Sequence, residues 1–210
     1  MSKTNIGLVE YARSKIGTPY VYGMKMESLT LEKYYYLKKL YGSMVWDSDI
    51  KKVGKVCCDC SGLISAYTRF IRNSIGYKNA AKTVNSISTI AKAPLGALVW
   101  FQGHIGVYSG TKNGVPYYIA EDGSAYGCRE VPLSYNKWTH WFECADIKYI
   151  VEDAEMVDTT KIKIDGKIYT ANRIFKENRN YIELQSLMQA GFKVDYDGSA
   201  KIPVLTSPKN

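Results

Sequence analysis

The sequence has no apolar run near the roughly 18 residues that a membrane-spanning helix requires. Its first residues, Met1 to Asn5, also lack the apolar stretch of a secretory signal. From these two absences we expect synthesis in the cytoplasm without a signal peptide, and no membrane span. No internal repeat and no low-complexity tract is visible either.

Histidine is scarce, and paired cysteines are not expected. The chain has two histidines and five cysteines, and without an export signal a structural disulfide framework is out of place. Three cysteines crowd into Cys57-Cys58-Asp59-Cys60, whose C-x-x-C spacing fits a redox pair or half of a zinc site. A thioredoxin-like pair should follow a βα unit, and a zinc site needs more ligands than the isolated Cys128 and Cys144. Both alternatives therefore rank low, and no metal or cofactor is expected.

Nucleic-acid motifs are absent too, although the chain carries a net charge of +8. All of the excess lies in residues 1–150, which hold 19 Lys and Arg against 11 Asp and Glu, whereas residues 151–210 hold nine of each. The basic residues are scattered rather than clustered, which disfavours a nucleic-acid partner. An anionic polymer such as a bacterial cell wall is the alternative partner.

The order of apolar patterns predicts an α+β protein. Thr4 or Asn5 can cap a first helix, and its predicted buried stripe is Leu8, Val9, Ala12 and Ile16. A long excursion at 24–56 contains a predicted helix at 31–41, and the helix that begins near Cys60 follows it. After residue 95 the period changes to strands connected as an antiparallel meander, predicted at 97–101, 104–108, 117–121 and 127–131. We expect the cysteine helix to pack on this sheet.

The last part of the sequence predicts a separate small α+β module. Residues 151–160 are acidic and poor in large apolar groups, which indicates a linker. The module at 161–210 should open with a hairpin that turns at Asp165-Gly166, and a short helix at 181–190 should end before Gly191. This module has no histidine and no cysteine, so we expect the chemistry to belong to residues 1–150.

The segment Asp59-Cys60-Ser61-Gly62-Leu63-Ile64 leads from an acidic residue into an apolar run of helical period. The periodic positions, which place Cys60 at or just inside a helix N-terminus, are Leu63, Tyr67, Phe70, Ile71 and Ser74. The positive end of a helix dipole favours an anion, which predicts a lowered pKa for the Cys60 thiol. The other interpretation is a small buried cysteine that opens an ordinary helix.

A nucleophilic thiol needs a base, and the base needs a group that orients it. His104 begins a strand of the predicted sheet, whereas His140 is predicted to lie beyond that sheet. We therefore take His104 as the candidate base, although an isolated histidine is more often structural. The orienting group should come from the neighbouring strand, where Glu121 and Asp122 are the candidates.

Four motifs stand in order between about residues 6 and 149: Tyr20-Val21-Tyr22-Gly23, Asp59-Cys60-Ser61-Gly62-Leu63, the segment 95–101, and His104-Ile105-Gly106-Val107-Tyr108. Together they resemble the NlpC-type cell-wall cysteine peptidases, a papain-like family that cuts the stem peptides of peptidoglycan. The resemblance implies a papain-like catalytic domain over residues 1–150. It also implies Cys60 as nucleophile, His104 as base, and substrate contacts from Tyr22, Asp59 and Ser61.

Two features depart from the pattern of that family. Its third polar residue falls on Ala120 here, so we assign this role to Glu121, one residue further on. Adjacent residues of a strand point to opposite faces, so the assignment requires a bulge or a substitute. The family's Gly-Asp before the first strand is Gly96-Ala97 here, which should affect a turn and not the chemistry.

The excursion and the tail carry resemblances of their own. The excursion at 24–56 resembles the form found in some phage lytic enzymes of Gram-positive hosts. The tail at 161–210 resembles a module of clostridial wall proteins, named after the N-terminal domain of copper amine oxidases, with no copper implied. The resemblance thus implies a phage-type endolysin that acts on the cell wall, cuts stem peptides at the γ-D-glutamyl–diaminopimelate bond, and holds a wall polymer through its tail. An acyltransferase or amidase on the same scaffold, and a non-catalytic wall-binding protein, are the alternatives.

Overall fold

The structure, a computed structural model, describes residues 3–150, 157–164, 167–176, 179–199 and 202–206. Two compact units make up the chain, Met1–Ile150 and Val151–Asn210. Each unit combines helix with antiparallel sheet. Among the described helices, none has the length and apolar character needed to cross a membrane.

The first unit begins with helices and ends with strands. Thr4 caps α1 (Asn5–Arg13), because its hydroxyl accepts a hydrogen bond from the Gly7 N–H at 3.1 Å. Within the excursion, β1 (Lys25–Ser28) pairs with β2 (Val56–Cys58), and between them lie α2 (Leu31–Tyr41) and the 3-10 helix Asp47–Lys52. Cys60 is the first residue of α3 (Cys60–Thr68), and α4 (Ser74–Ala80) follows.

A six-stranded antiparallel sheet supports these helices. Its strands are β3 (Val84–Ser86), β4 (Leu98–Phe101), β5 (His104–Lys112), β6 (Val115–Glu121), β7 (Cys128–Pro132) and β8 (His140–Phe142), in the order β3-β8-β4-β5-β6-β7. One face packs against α1 and α3 in a core that includes Leu8, Leu63, Ile64, Leu98 and Ile119. The predicted α+β fold, with the cysteine helix packed on an antiparallel sheet, is confirmed.

The other face of the sheet is covered as well. Val99, Tyr118, Ala120, Trp138 and Trp141 form a second buried cluster there. Strands buried on both faces read as continuous apolar runs rather than alternating ones. This double burial explains the unbroken apolar segment at 97–101.

The helix predicted at 181–190 covers only Leu184–Gln189, because Tyr181 and Ile182 belong to a strand. In the first unit the helices differ from the sequence predictions in two further places. α1 ends at Arg13, so Ile16, predicted in its buried stripe, lies beyond the helix and is half exposed. The apolar run after Cys60 does not form one helix, because Arg69 takes a left-handed conformation (φ 66°) that ends α3. Ile71 lies past this break and is 81% exposed. Helical spacing alone does not reveal a left-handed residue, so the periodicity overextends the helix.

The second unit contains two small antiparallel sheets and one helix. β9 (Val157–Ile164), β10 (Lys167–Lys176) and β11 (Arg179–Ile182) are ordered β11-β10-β9, and α5 (Leu184–Gln189) precedes the pair β12 (Lys193–Asp197) and β13 (Ile202–Thr206). Ala171, Leu187 and Phe192 are its buried apolar residues among those described. The predicted turn at Asp165-Gly166 and residues 151–156 of the predicted linker lie outside the described residues. The rest of that linker, from Val157, belongs to β9.

Candidate active site

The start of α3, where Cys60 lies, is held from several sides. The Asp59 carboxylate caps the helix, accepting from the Gly62 N–H at 2.6 Å and from the Ser61 hydroxyl at 2.9 Å. It also accepts from the Gly23 N–H at 3.1 Å, which ties the preceding motif to the helix. A side chain at Gly62 would clash with the Met24 carbonyl, so glycine permits this close approach.

The Cys60 thiol lies against the start of β5, where the residue next to His104 contacts it. Burial, followed by the Asp59 carboxylate, raises the pKa of Cys60 to about 12, and backbone hydrogen bonds at Ile105 and Ser61 only partly oppose this. The helix terminus predicts a lowered pKa, but burial disfavours the thiolate more strongly than the helix start favours it. The surroundings of Cys60 therefore favour the protonated thiol.

His104, the first residue of β5, is paired with Asp122. Its Nε2 lies 3.0 Å from Asp122 Oδ1. An ionised carboxylate only accepts hydrogen bonds, so Nε2 carries the hydrogen and Nδ1 is left as an acceptor. This is the tautomer that a general base needs.

Four donors hold the buried Asp122 carboxylate. Oδ2 accepts from Arg129 Nε at 2.6 Å and from the Tyr118 hydroxyl at 2.7 Å, while Oδ1 accepts from the Asn136 amide at 3.1 Å and from His104. Burial would raise the pKa of Asp122, but the hydrogen bonds from His104, Tyr118 and Arg129 outweigh it and keep the pKa below its usual value. Asp122 is therefore an ionised carboxylate at neutral pH.

Glu121, to which the sequence assigns the orienting role, lies on the other face of β6. Tyr118 and Ala120 belong to one face of the sheet, and Glu121, one residue further, points from the opposite face. No bulge redirects it, because β6 pairs with β7 in continuous register up to Glu121. The structure therefore places Asp122, two residues after Ala120, beside His104 and leaves Glu121 away from the ring.

The environment of Glu121 is unusual in its own right. Its side chain is fully buried, and neither carboxyl oxygen has a hydrogen-bond partner among the described residues. Burial, followed by the Asp59 charge, raises the pKa of Glu121 to about 9 in spite of Lys52. Glu121 is therefore uncharged at neutral pH.

A cavity of about 250 Å³ opens beside the histidine–aspartate pair, lined by Tyr20, Phe101, His104, Asp122, Gly123 and Asn136. The buried Trp138 stacks on the His104 ring, with centroids 5.3 Å apart and an interplanar angle of 14°, which shields one face of the imidazole from water. Burial, followed by the charge of nearby Cys60, raises the pKa of Tyr20. Asn136 and Trp138 come from the segment between β7 and β8, where no motif marks them.

No family model and no curated protein matches the chain. Among solved structures, the peptidoglycan hydrolase RipB of Mycobacterium tuberculosis is similar over 69% of this chain and 67% of its own, with 24% identity and a TM-score of 0.46. The P60 domain of an antigen from M. avium subspecies paratuberculosis is similar over 69% of this chain and 98% of its own, with 21% identity and a TM-score of 0.45.

Tyr22, Asp59 and Ser61, which the resemblance assigns to substrate binding, lie near Cys60. Lys25 Nζ donates to both Asp59 carboxylate oxygens, at 2.9 and 2.8 Å, and to the Ser61 hydroxyl at 2.9 Å. Asp59 and Ser61 thus build the helix start and hold a cation of the chain itself. The Tyr22 ring packs edge-on against Tyr41 of α2, with centroids 5.0 Å apart, so the excursion reaches the site at this point.

The remaining histidine and the other four cysteines are not among the residues of this candidate site. His140, predicted to lie beyond the sheet, is in β8 opposite Trp100, with Nδ1 2.8 Å from the Thr139 hydroxyl. All five cysteines are free. Within the described part of the chain, no group of three or more His, Cys, Asp and Glu side chains is arranged to hold a metal ion. The zinc interpretation of Cys57-Cys58-Asp59-Cys60 gains no support from this geometry.

Proposed function

We propose that the protein is a cysteine peptidase of bacterial peptidoglycan. The observation that carries the proposal is the Cys60 thiol at a helix start, beside a strand whose first residue, His104, is held in one tautomer by Asp122. A nucleophile, a base and an orienting carboxylate are what acyl transfer from a peptide requires. The four motifs that resemble the NlpC-type peptidases supply the substrate class.

In the proposed reaction, His104 Nδ1 takes the proton from Cys60 Sγ as the thiolate attacks a stem-peptide carbonyl. The Cys60 N–H is the proposed donor to the oxyanion, since the first N–H groups of a helix have no intrahelical acceptor. His104 then gives its proton to the leaving amine, and a thioester remains on Cys60. Water that transfers a proton to His104 hydrolyses the thioester and restores the thiol. Asp122 stabilises the His104 imidazolium both during thioester formation and during thioester hydrolysis.

The finer assignments rest on the sequence resemblance. They are cleavage at the γ-D-glutamyl–diaminopimelate bond, the role of a phage-type endolysin, and attachment to a wall polymer through the second unit. The acyltransferase and amidase alternatives use the same thioester and differ in the group that accepts or loses the acyl chain. Product analysis therefore separates them.

Mass spectrometry of muropeptides released from purified sacculi tests the proposal. The protein should release fragments with a new diaminopimelate amino terminus, because that bond is the proposed one. Cys60→Ser should release none while keeping its circular dichroism spectrum. Cuts in the glycan or at the lactyl amide would contradict the stem-peptide assignment, and release by folded Cys60→Ser would remove the thiol from the mechanism.

A further inference from the structure

One lysine of the excursion contacts both sides of the candidate site. Lys52 ends the 3-10 helix Asp47–Lys52, and its side chain is 17% exposed. Its ammonium donates to Asp49 Oδ1 at 2.6 Å, to the Tyr20 carbonyl at 2.7 Å and to the Ser124 carbonyl at 2.9 Å. A lysine ammonium has three N–H groups, so these acceptors use all of them.

One carbonyl acceptor belongs to a residue that lines the cavity beside His104, and the other belongs to the residue that follows the lining residue Gly123. Tyr20 lines that cavity directly. Ser124 lies in the turn that begins with Asp122, and this turn is closed by a hydrogen bond from the Asp122 N–H to the Gly127 carbonyl at 3.0 Å. Lys52 thus joins the Tyr20 side of the cavity to the turn that carries the partner of His104.

Asp49 adds a second connection to the same turn. Its side chain is fully buried, and Oδ2 accepts from the Trp46 N–H at 2.9 Å and from the Ser124 hydroxyl at 3.1 Å. The ion pair therefore contacts Ser124 twice, through its carbonyl and through its hydroxyl. Buried ion pairs seldom stabilise a protein more than apolar packing would, so a role in fixing the geometry accounts better for this one.

We propose that Lys52, together with Asp49, is a positioning residue that holds the turn at 122–127 so that Asp122 meets His104. Lys52 touches no reacting atom in this arrangement and acts through Ser124 and Tyr20. The excursion at 24–56 then fixes the relative position of His104 and Asp122. The kinetic consequence rests on the proposed function, whereas the geometric consequence does not.

Kinetics of Lys52→Met on a soluble stem peptide test the first consequence. Displacing a catalytic group by about 1 Å costs up to about 10²-fold in rate, so we expect kcat to fall by roughly 10- to 100-fold. KM should change little, because Lys52 is not proposed to bind substrate. Lys38→Met is the matched control, since Lys38 belongs to the same excursion and donates to the Val45 carbonyl at 2.6 Å and to Asp47 at 2.7 Å. It should keep the wild-type kcat.

The ring N–H proton of His104, observed by NMR, tests the geometric consequence without any substrate. The chain has two histidines, so His140→Gln assigns the signal. A hydrogen-bonded Nε2–H signal should be present in the wild type and in Lys38→Met, and lost or broadened in Lys52→Met. The double variant Asp49→Asn/Lys52→Met repeats the measurement without a buried unpaired carboxylate, in case the single variant does not fold.

The two readouts separate the possible failures. A folded variant that keeps both the ring signal and kcat overturns the positioning role. Loss of the signal in Lys52→Met, in a protein that cleaves no peptidoglycan even as wild type, supports the positioning role and rejects the proposed function. A lower melting temperature with an unchanged ring signal assigns Lys52 to stability alone and also overturns the proposal.

Discussion

Asp122 and Glu121 are adjacent carboxyl residues with opposite environments, and converting each to its amide separates their roles. Asp122→Asn preserves the shape but removes the charge from a carboxylate that accepts from four donors, at 2.6 to 3.1 Å. Glu121→Gln makes the same chemical change in a buried side chain whose raised pKa, about 9, already leaves it uncharged at neutral pH. Each variant is therefore the control for the other.

The arrangement of donors makes an amide at position 122 a poor substitute. Arg129 and Tyr118 need an acceptor at Oδ2, while His104 and Asn136 need one at Oδ1. An asparagine offers one oxygen and one NH₂ group, so one pair of donors must face another donor. Either the Nε2–H tautomer of His104 is no longer held by an acceptor, or Arg129 Nε is left without its acceptor.

The expected magnitude follows from that conflict. Loss of an orienting group costs roughly 10²- to 10⁴-fold in turnover in comparable sites, and we expect Asp122→Asn to fall in this range. A hydrogen bond to a charged group contributes about 1.5–3 kcal/mol, so the free energy of unfolding should fall by about that amount if Arg129 is the group left without its partner. Glu121→Gln should keep turnover close to that of the wild type.

The assay is cleavage of a soluble stem peptide, followed by chromatography of the products, with circular dichroism to confirm folding. Saturating substrate isolates kcat, where the orientation of His104 should act. If folded Glu121→Gln lost as much turnover as Asp122→Asn, the orienting role would return to Glu121. If folded Asp122→Asn kept full turnover, the pair with His104 would be structural only.

Three further predictions concern stability, the cysteines and the tail. The pKa of Glu121 in the folded protein, about 9, lies above its ordinary value of 4.5. The contribution of this carboxyl group to the free energy of unfolding is therefore complete below pH 4.5 and is lost as pH rises towards 9. Glu121→Gln should therefore gain stability over the wild type by roughly 1.4 kcal/mol per pH unit across this window, and equal differences in melting temperature at pH 5 and pH 8 would refute this. Cys60→Ser should abolish wall lysis and Cys57→Ser should not, because Cys60 begins helix α3 whereas Cys57 lies within strand β2; a stable but inactive Cys57→Ser would favour the C-x-x-C chemistry. A chain that ends at Ile150 should cut soluble muropeptides at nearly the full rate but pellet poorly with walls, because tethering raises local concentration and not turnover; equal pelleting would leave the second unit without an anchoring role.

Local chemistry is what the sequence reveals well. The start of α3 at Cys60 follows from an acidic cap, small residues and an apolar run, all within a few positions of one another. The strands β4 and β5 follow from short apolar runs separated by Gln102-Gly103 for the same reason. Such signals depend on nearest neighbours along the chain, so one sequence is enough to place them.

The partner of His104 depends on tertiary structure. Asp122 and Glu121 are neighbours with the same functional group, and the choice between them is made by strand parity and by the turn that Gly127 closes. Side chains alternate between the two faces of a strand, so Asp122 shares the face of Ala120 whereas Glu121 does not. Asp122 is therefore the partner once it is known which face of β6 meets His104. That face is set by the packing of strands distant in the chain.

The same reason explains the other features that no motif announced. Trp138 reaches the His104 ring because the chain returns to the sheet as β8, between β3 and β4. Lys52 meets Ser124 across a separation of 72 positions in sequence. The pKa of Cys60 is raised by burial, which sums contributions from the whole fold, whereas the helix start that should lower it is local. Local patterns therefore predict which groups are present and where α3, β4 and β5 lie. Which of these groups meet, and in which charge state, depends on contacts between residues that are far apart in the chain.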